Sequence, residues 1–439
     1  MDLIIYPTSD LNGEIIAPGS KSYSHRAFII ASLTDGVSVI HNPLTSGDVG
    51  VTIDILKALG VSILESSDNK LIIKRESLDL ESNGQMIDCK NSGTSIRIFS
   101  ALSLIIDGGL SFSGEFLTRK RPITPLLDSL KYAGGEYELS ENILKIKRAM
   151  KKCETIKIPG DISSQFITAL LILASKLKCD DKKYIEIEIT TPLVSYPYIK
   201  ITLDVLKSFG LKVYEKLNDV LIGKYEIPCD QRILPHKYTI PGDFSSAAFI
   251  IAAAILSQDG SKVIVNNLNM DNPQGDKRII DILREMGASI NVNHEEKQVI
   301  IDGNLSKYPL KGISIDCHDI PDLFPILSVV GAFTDKTVLY NAANVRRKES
   351  DRVAIMAREL TKMGVKVEEE EDKMIIYRCD TLHGIEINHE NDHRIAMACC
   401  IAALNAESSS HIKNIEIVND SYPSFLEDLI KLGVKIEKK

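Results

Sequence analysis

The sequence predicts an α/β protein in which one unit of strand, helix, strand, helix and hairpin occurs six times, three times in each of two domains. Two series of features support this prediction. A helix-ending signature, Leu-x-x-x-Gly, occurs six times, with leading leucines 69 to 77 residues apart. Between successive copies, a short apolar strand leads through a polar turn into a long apolar helix. Because both series keep the same period, they indicate repeats rather than unrelated segments.

The signature glycines stand where a helix needs a residue in the left-handed conformation after its last turn. They are Gly60, Gly134, Gly210, Gly287, Gly364 and Gly433. Five of them precede an apolar stretch, a polar turn and a second apolar stretch, as in 61–74, which is typical of a β-hairpin. These five signatures therefore predict a helix that leads directly into a hairpin.

The second series predicts the strand and the helix that open each repeat. The strands end near Ile16, Ile87, Ile158, Ile240, Ile315 and Ile387. The helices are predicted over 22–33, 94–106, 164–177, 245–256, 321–333 and 392–404.

The sixth repeat is cut short after a single strand, and residues 3–6 resemble strands of the first and fifth repeats. We therefore expect the first strand of the chain to complete the sixth repeat. With three repeats in each domain, one domain is predicted at residues 20–239, and the other combines 1–19 with 240–439.

Composition excludes several classes of protein. The chain has 439 residues, 44 % of them hydrophobic, and its formal net charge of −8 argues against general affinity for nucleic acid or anionic lipid. Apolar stretches reach about ten residues, short of the ~18 that cross a bilayer, and no signal-peptide pattern is present. The eight cysteines form no CxxC pair. We expect free thiols in a cytoplasmic protein without a metal site.

Several predicted helices open with polar residues accompanied by a cation. The segments are 20–22, 91–94, 161–165 and 391–394, and the cations are Lys21, Arg26, Arg97 and Arg394. Helix N-termini attract anions, and their dipole disfavours a cation in the first turn unless an anion joins it. The pattern therefore favours anion binding, although the polar residues alone are also typical of helix caps.

Three other charged clusters stand out. Residues 118–122 are basic, and they form either a solvated loop or an anion-binding site. Residues 316–322 carry three carboxylates that suit helix capping or a hard metal, but nothing else completes an oxygen cage. Residues 344–352 predict an opening helix with Lys348 and Arg352 on one face, directed either to an anion or to solvent.

Together these motifs resemble the 3-phosphoshikimate 1-carboxyvinyltransferase (EPSP synthase) family, in order and over nearly the whole chain. The matching segments are 18–26, 91–97, 121–122, 163–165, 347–352 and 391–394. The resemblance implies two domains of three βαβαββ units that form an inside-out α/β barrel, with the active site in the cleft between them. It also implies a cytoplasmic, monomeric enzyme of the shikimate pathway, without metal or organic cofactor, whose substrates are phosphoenolpyruvate and 3-phosphoshikimate.

The resemblance assigns roles to individual residues. Asp316 and Glu349 would move protons, with Lys21 as a third catalytic residue. 3-Phosphoshikimate would contact Lys21, Ser22, Arg26, Ser163, Ser164, Gln165, Ser195, Tyr198, Asp316, Asn344 and Lys348. Phosphoenolpyruvate would contact Lys21, Asn91, Gly93, Arg121, Gln165, Arg352 and Arg394. The inhibitor glyphosate would compete for the space beside Gly93.

Two other functions remain open at this point. A UDP-N-acetylglucosamine 1-carboxyvinyltransferase would share the fold, but that family carries a cysteine before its Arg-Pro, and none lies between Cys89 and Cys153. A non-catalytic anion-binding repeat protein would not need both Asp316 and Glu349.

Two positions depart from the family pattern. His25 stands where asparagine is usual, and Asp420 stands where the family places a lysine. Either another lysine such as Lys413 substitutes for it, or phosphoenolpyruvate binds more weakly than usual. We expect the second.

Overall fold

The computed structural model describes residues 1–66, 69–75, 80–82, 84–147, 155–177, 179, 182–258 and 260–438. The chain divides into two compact units. The contiguous unit is Lys21–Ile240, and the composite unit joins Met1–Ser20 to Pro241–Lys439.

Six separate four-stranded sheets confirm the predicted α/β repeat, three in each unit. In all six, taken in spatial order, the first two strands are parallel and the other two pairs of neighbours are antiparallel. In spatial order, the sheets of the contiguous unit are Lys237–Thr239, Val37–His41, Lys70–Arg75, Val61–Ser66; Met86–Asp88, Leu110–Ser113, Leu144–Lys147, Glu136–Leu139; and Ile156–Ile158, Tyr184–Ile189, Gly223–Pro228, Tyr214–Leu217.

The composite unit follows the same plan. Its sheets are Asn12–Ile16, Ser261–Asn266, Gln298–Gly303, Ser289–Asn293; Ser314–Asp316, Lys336–Tyr340, Met374–Tyr377, Val367–Glu369; and Glu386–Ile387, Ser410–Ile412, Leu3–Ile5, Ile436–Lys438. In the last sheet, Leu3–Ile5 lies between Ser410–Ile412 and Ile436–Lys438 and is antiparallel to both.

Two strands lie in a different unit from the helix that follows them. Asn12–Ile16 pairs with Ser261–Asn266 in the composite unit, and the next helix, Lys21–Ser32, belongs to the contiguous unit. Lys237–Thr239 pairs with Val37–His41 in the contiguous unit, and the helix after it belongs to the composite unit. The chain therefore passes from one unit to the other between a strand and its helix, both times.

Each repeat has an opening helix after its first strand and a closing helix after its second. The opening helices are Lys21–Ser32, Gly93–Leu102, Ser164–Ala174, Phe244–Ile255, Phe324–Gly331 and His393–Ala403. The closing helices are Gly47–Ala58, Thr124–Tyr132, Tyr196–Ser208, Arg278–Glu285, Arg352–Lys362 and Phe425–Lys431. A short helix, Glu115–Thr118, and three 3₁₀ turns, Gly275–Lys277, Val345–Arg347 and Ile415–Asp420, lie in the connections.

The six signature glycines all adopt the predicted left-handed conformation, with φ between 80° and 108°. The opening helices are buried on nearly every side, and their apolar residues belong to the hydrophobic cores of the two units. Every residue of Phe244–Ile255 and of Gly93–Leu102 is buried.

The expectation that all cysteines are free is wrong for two of them. Cys179, just after the third opening helix, forms a disulfide with Cys229, at the end of strand Gly223–Pro228. The antiparallel pairing of Tyr184–Ile189 with Gly223–Pro228 brings their Cα atoms to 5.7 Å across a sequence separation of 50 residues, so spacing along the chain gave no sign of the pair. Cys153, covered by the same expectation, lies outside the described residues.

The predicted helix over 344–352 is also wrong. Val345–Arg347 forms a 3₁₀ turn, and the α-helix begins only at Arg352. The Asp351 side chain accepts a hydrogen bond from the backbone N–H of Ala354 at 3.1 Å and so caps the helix at that point. Lys348 and Arg352 therefore do not share a helix face. In the described ranges no helix is long and apolar enough to cross a membrane.

Candidate active site

In the contiguous unit, hydrogen bonds join the first turns of the second and third opening helices. The Gln165 amide donates to Thr94 Oγ1 at 3.0 Å and accepts from Arg97 Nη1 at 2.6 Å. Arg97 also donates from Nε and Nη2 to the carbonyl of Pro122, at 3.1 and 2.6 Å. The amide of Gln165 is thus oriented by a buried arginine that the resemblance did not assign to the site.

Arg121 lies directly against the start of the second opening helix. Its Nη1 donates to the carbonyl and the side-chain oxygen of Asn91, at 2.6 and 3.0 Å, and its guanidinium lies 5.0 Å from the ring centre of Phe116. A Cβ atom added to Gly93 would lie 2.9 Å from Arg121 Nη2. The Arg121 guanidinium can therefore occupy this position because residue 93 has no side chain.

Lys21 and Arg26 lie on the first opening helix, both buried. Lys21 Nζ forms an ion pair with Asp48 at 3.3 Å. Arg26 donates to the carbonyls of Ser22 and Tyr198, at 2.8 and 3.1 Å, and to the hydroxyls of Thr168 and Thr202. Burial lowers the pKa of Arg26 to about 10, which leaves it charged at neutral pH. Arg26 thus fixes the backbone of two residues predicted to contact 3-phosphoshikimate.

A chain of buried hydroxyls connects the first opening helix to the second. His25 Nδ1 lies 2.7 Å from Thr52 Oγ1, Thr52 lies 2.8 Å from Ser95 Oγ, and Ser92 donates to Ser95 at 2.8 Å. Burial, then the charges of Lys21 and Arg26, lower the pKa of His25 well below its ordinary value. The imidazole is therefore neutral and serves as a hydrogen-bonding group.

The remaining predicted serines of this unit begin helices. Ser163 caps the third opening helix by accepting from the N–H of Gln165, and Ser164 is its first residue. Ser195 precedes helix Tyr196–Ser208 with φ 54°, a left-handed conformation rare for a residue other than glycine.

In the composite unit, Asp316 ends a strand and is held by its neighbours. Its Oδ1 accepts from the N–H of His318 at 2.9 Å, and its Oδ2 accepts from Asn341 Nδ2 at 3.0 Å. The Asn344 amide donates to the carbonyl of His318 at 3.1 Å, which ties it to the same turn. Two residues predicted at the site, Asp316 and Asn344, are thus brought together, and Asn341 is an addition.

A buried ion cluster surrounds Arg352, at the start of its helix. Three carboxylates contact the guanidinium: Asp392 at Nε and Asp322 at Nη1, both at 2.8 Å, and Glu349 at Nη2, at 2.6 Å. The second oxygen of Asp322 pairs with Arg394 Nη2 at 2.9 Å. Arg394 Nη2 also donates to Ser245 Oγ at 2.9 Å. Arg352, Arg394 and Glu349 were predicted at the site, and in the structure Asp322 joins the two arginines while Glu349 pairs with Arg352.

The charges in this cluster stabilise one another. Burial of Asp322 acts to raise the pKa of its carboxyl, but Arg394 and Arg352 outweigh burial and hold that pKa well below its ordinary value. Burial acts to lower the pKa of Arg352, and Asp392, Glu349 and Asp322 raise it instead. Asp322 and Arg352 are therefore both ionised at neutral pH.

Two further positions from the sequence analysis lie in the sixth repeat. Asp420 is the last residue of the 3₁₀ turn Ile415–Asp420 and is partly exposed. Lys413, the lysine considered as its substitute, is exposed and pairs with Glu386 at 2.6 Å in the sixth repeat.

The residues that sequence reasoning missed are mostly the partners of the cations: Asp48, Asp322, Asn341 and Asp392. Asp322 was noticed in a segment suited to helix capping or a hard metal, and Asp392 in a segment predicted to bind an anion, but neither was predicted to pair with an arginine. A signal was available, because buried arginines need carboxylate partners and the predicted arginines outnumbered the predicted acids.

Comparison with known proteins places the chain in a family. The family model described as EPSP synthase (3-phosphoshikimate 1-carboxyvinyltransferase) matches residues 5–429. The chain belongs to the EPSP synthase family. It is 42 % identical over 444 residues to the 3-phosphoshikimate 1-carboxyvinyltransferase of Methanocaldococcus jannaschii, covering 100 % of this chain and 99 % of the relative. The corresponding protein of Methanococcus aeolicus is 39 % identical, with both chains covered completely.

Solved structures agree with this fold. The EPSP synthase from Acinetobacter baumannii superposes with a TM-score of 0.79 at 24 % identity and full coverage of both chains. The enolpyruvyl transferase NikO from Streptomyces tendae gives 0.76 at 16 % identity, over 99 % of this chain and 98 % of that one. The fold is therefore shared by enolpyruvyl transferases well beyond the range of close sequence similarity.

Proposed function

We propose that this chain transfers the enolpyruvyl group of phosphoenolpyruvate to the 5-hydroxyl of 3-phosphoshikimate and releases phosphate. The observation that carries the proposal is a pair of buried arginines in the composite unit, Arg352 and Arg394, which Asp322 holds together. Glu349, whose carboxylate is suited to proton transfer, contacts Arg352. A family member that kept only anion binding would have no need of that carboxylate. The same observation argues against the non-catalytic alternative.

The substrates explain the number of cations. Phosphoenolpyruvate and 3-phosphoshikimate each bring a carboxylate and a phosphate, roughly six negative charges at neutral pH. In this proposal Arg121, Arg352 and Arg394 bind phosphoenolpyruvate, with Asn91 and Gly93 beside Arg121. Lys21 and Gln165 contact both substrates. Planar guanidinium groups suit this task, because they bind carboxylates and phosphates through two parallel hydrogen bonds.

3-Phosphoshikimate is assigned to residues of both units. In the contiguous unit they are Ser22, Arg26, Ser163, Ser164, Ser195 and Tyr198, and in the composite unit Asp316, Asn344 and Lys348. Arg26 acts here mainly by fixing the backbone of Ser22 and Tyr198, to whose carbonyls it donates.

Two proton transfers follow from the chemistry. Asp316 accepts the proton of the 5-hydroxyl while the hydroxyl oxygen attacks C2 of phosphoenolpyruvate. Glu349 donates a proton to the methylene carbon of phosphoenolpyruvate. Removal of a proton from the resulting methyl group, with departure of phosphate, restores the double bond. The hydrogen bonds from His318 and Asn341 orient Asp316 for the first step.

A phosphate-release assay tests the proposal. The purified protein with both substrates should release one phosphate for each 3-phosphoshikimate consumed. Replacing 3-phosphoshikimate by UDP-N-acetylglucosamine should abolish release. Release only with the nucleotide sugar would favour the alternative transferase, and no release with either acceptor would contradict catalysis.

We also propose that the enzyme works in the cytoplasm as a monomer. Light scattering should give the mass of a single chain, with and without substrates. A dimer at micromolar concentration would contradict this assignment.

A further inference from the structure

The fourth opening helix, Phe244–Ile255, received no site residue from the resemblance, yet its first turn contacts Arg394. Ser245, the second residue of this helix, is buried, and its hydroxyl oxygen accepts a hydrogen bond from Arg394 Nη2 at 2.9 Å. Its carbonyl oxygen accepts from Arg394 Nη1 at 3.4 Å. One residue of the fourth repeat thus contacts both terminal nitrogens of an arginine in the first turn of the sixth opening helix.

The direction of the Ser245 hydroxyl is set by Asp243. The hydroxyl donates its only proton to Asp243 Oδ1 at 2.5 Å, so the lone pairs of the hydroxyl oxygen face Arg394. Asp243 is buried and caps the helix, because its Oδ1 also accepts from the N–H groups of Ser245 and Ser246, at 2.9 and 3.2 Å. Asp243 therefore fixes Ser245, and Ser245 presents an acceptor to Arg394.

Ser245 and Asp322 together determine how the Arg394 guanidinium is oriented. Asp322 Oδ2 pairs with the same nitrogen, Nη2, at 2.9 Å. A terminal guanidinium nitrogen carries two N–H groups, so these two acceptors use both of them. Because the guanidinium is planar, contacts from residues of two different repeats restrict its rotation. Without the Ser245 hydroxyl, Nη2 would keep only Asp322 of these two acceptors, and the group could turn about that contact.

We infer that Ser245 is a positioning residue that holds the Arg394 guanidinium in the orientation that binds phosphoenolpyruvate. The inference rests on the proposed function for the identity of the anion. An arginine that is oriented before the anion arrives loses less conformational entropy when the anion binds. The fourth opening helix thus contributes to substrate affinity through Arg394.

Binding and kinetic measurements on Ser245→Ala test this inference. Calorimetry with phosphoenolpyruvate alone should give a Kd about tenfold higher than for the unmodified protein, because a hydrogen bond that orients a charged group is lost. In phosphate release, the KM for phosphoenolpyruvate should rise by a similar factor, while kcat changes by less than about twofold. The KM for 3-phosphoshikimate should stay the same.

A second pair of variants separates the hydroxyl from the shape of the side chain. Threonine and valine have nearly the same shape, and only threonine carries a hydroxyl. Ser245→Thr should therefore bind phosphoenolpyruvate about tenfold more tightly than Ser245→Val, whatever effect the added methyl has on both.

The matched control is Ser328→Ala. Ser328 is likewise buried, in the fifth opening helix of the same unit, and its hydroxyl donates within its own helix to the carbonyl of Phe324 at 2.7 Å. The substitution removes one buried hydroxyl and should leave the Kd for phosphoenolpyruvate unchanged.

The Kd measurements need no turnover, so they separate this inference from the proposed function. An unchanged Kd in Ser245→Ala, or equal Kd values for Ser245→Thr and Ser245→Val, would overturn the inference even in an enzyme that releases phosphate as proposed. Equal weakening in Ser328→Ala would also contradict it, because the effect would then be general to the loss of a buried hydroxyl. Weakening confined to the Ser245 variants without a hydroxyl supports positioning, even in a protein without turnover. If phosphoenolpyruvate does not bind the unmodified protein, Arg394 does not hold this anion and the inference is wrong.

Discussion

The arginines of the candidate site are oriented by the protein itself. Arg26 donates four hydrogen bonds to protein oxygens, and Arg97 donates three. A long side chain that is already immobilised loses little conformational entropy when it binds a ligand. These contacts therefore favour a tight, well-oriented complex.

The acid–base assignment predicts the effect of two substitutions. Asp316→Ala and Glu349→Gln should each lower kcat by roughly a hundredfold or more, the usual scale for general acid–base groups. Binding of 3-phosphoshikimate should persist, because most of its assigned contacts remain. Single-turnover phosphate release measures the effect, and near-normal turnover in either variant would remove that residue from its role.

Gly93→Ala should raise the KM for phosphoenolpyruvate. The added methyl would lie 2.9 Å from Arg121 Nη2, so the guanidinium must move away from its position beside Asn91. A double-mutant cycle with Arg121→Lys checks this cause. If Gly93→Ala raises the KM equally in both backgrounds, the methyl does not act through Arg121.

His25 predicts a pH dependence of stability. Its folded pKa lies well below 6.5, so below that pH the unfolded chain binds a proton that the folded chain does not, and stability falls. The loss reaches up to about 2 kcal/mol at pH 5. His25→Asn should reduce it in urea unfolding at pH 7 and pH 5.

His318 provides the matched control. The hydrogen bond that His318 donates to the Asp319 carboxylate raises the pKa of His318, so its contribution is present at low pH and is lost as the pH rises through that pKa. His318→Asn should not reduce the acid destabilisation. Equal acid destabilisation of His25→Asn and the unmodified protein would contradict the burial argument.

Among single residues, the cations and catalytic candidates were accessible from the sequence, and their carboxylate partners were not. Arg352 and Asp392 lie forty positions apart, and only the fold brings them to 2.8 Å. No local pattern encodes such a pair.

At the scale of elements, the opening helices were predictable because each carries a long, mostly apolar stretch and begins after a polar turn. Their ends differ from prediction by a few residues. The Arg352 helix was predicted too early because charge spacing suggested a helix face, whereas the side chain of Asp351 caps the helix and fixes its start.

Asp420, at the end of the 3₁₀ turn Ile415–Asp420, stands where the family places a lysine, and substitutions there test the effect of that difference. Asp420→Lys should lower the KM for phosphoenolpyruvate and leave that for 3-phosphoshikimate little changed. One charge-assisted contact, worth roughly 1.5–3 kcal/mol, would be gained and one repulsive charge removed. Asp420→Asn, which only removes the charge, should give an intermediate value. If both variants keep the original KM, position 420 does not face phosphoenolpyruvate.

At the scale of the whole molecule, the disulfide is the main feature that composition did not predict. Cys179–Cys229 closes a loop of about 50 residues in the contiguous unit. Cys229→Ser should lower the free energy of unfolding by about 2–4 kcal/mol, because the unfolded chain regains the freedom that the cross-link removes. Urea unfolding measures this loss. Cys379→Ser, at a free cysteine, is the control, and an equal effect of both would contradict a contribution from the disulfide.

The position of Leu3–Ile5 between strands from the far end of the chain has a consequence during protein synthesis. A ribosome adds about 5–20 residues per second, so the strands that pair with residues 3–5 emerge many seconds after them. The contiguous unit needs only Lys21–Ile240 and can fold while the rest is still being made. Leu3–Ile5 thus waits for partner strands that are translated long after it, and its apolar residues remain exposed to chaperones in the meantime.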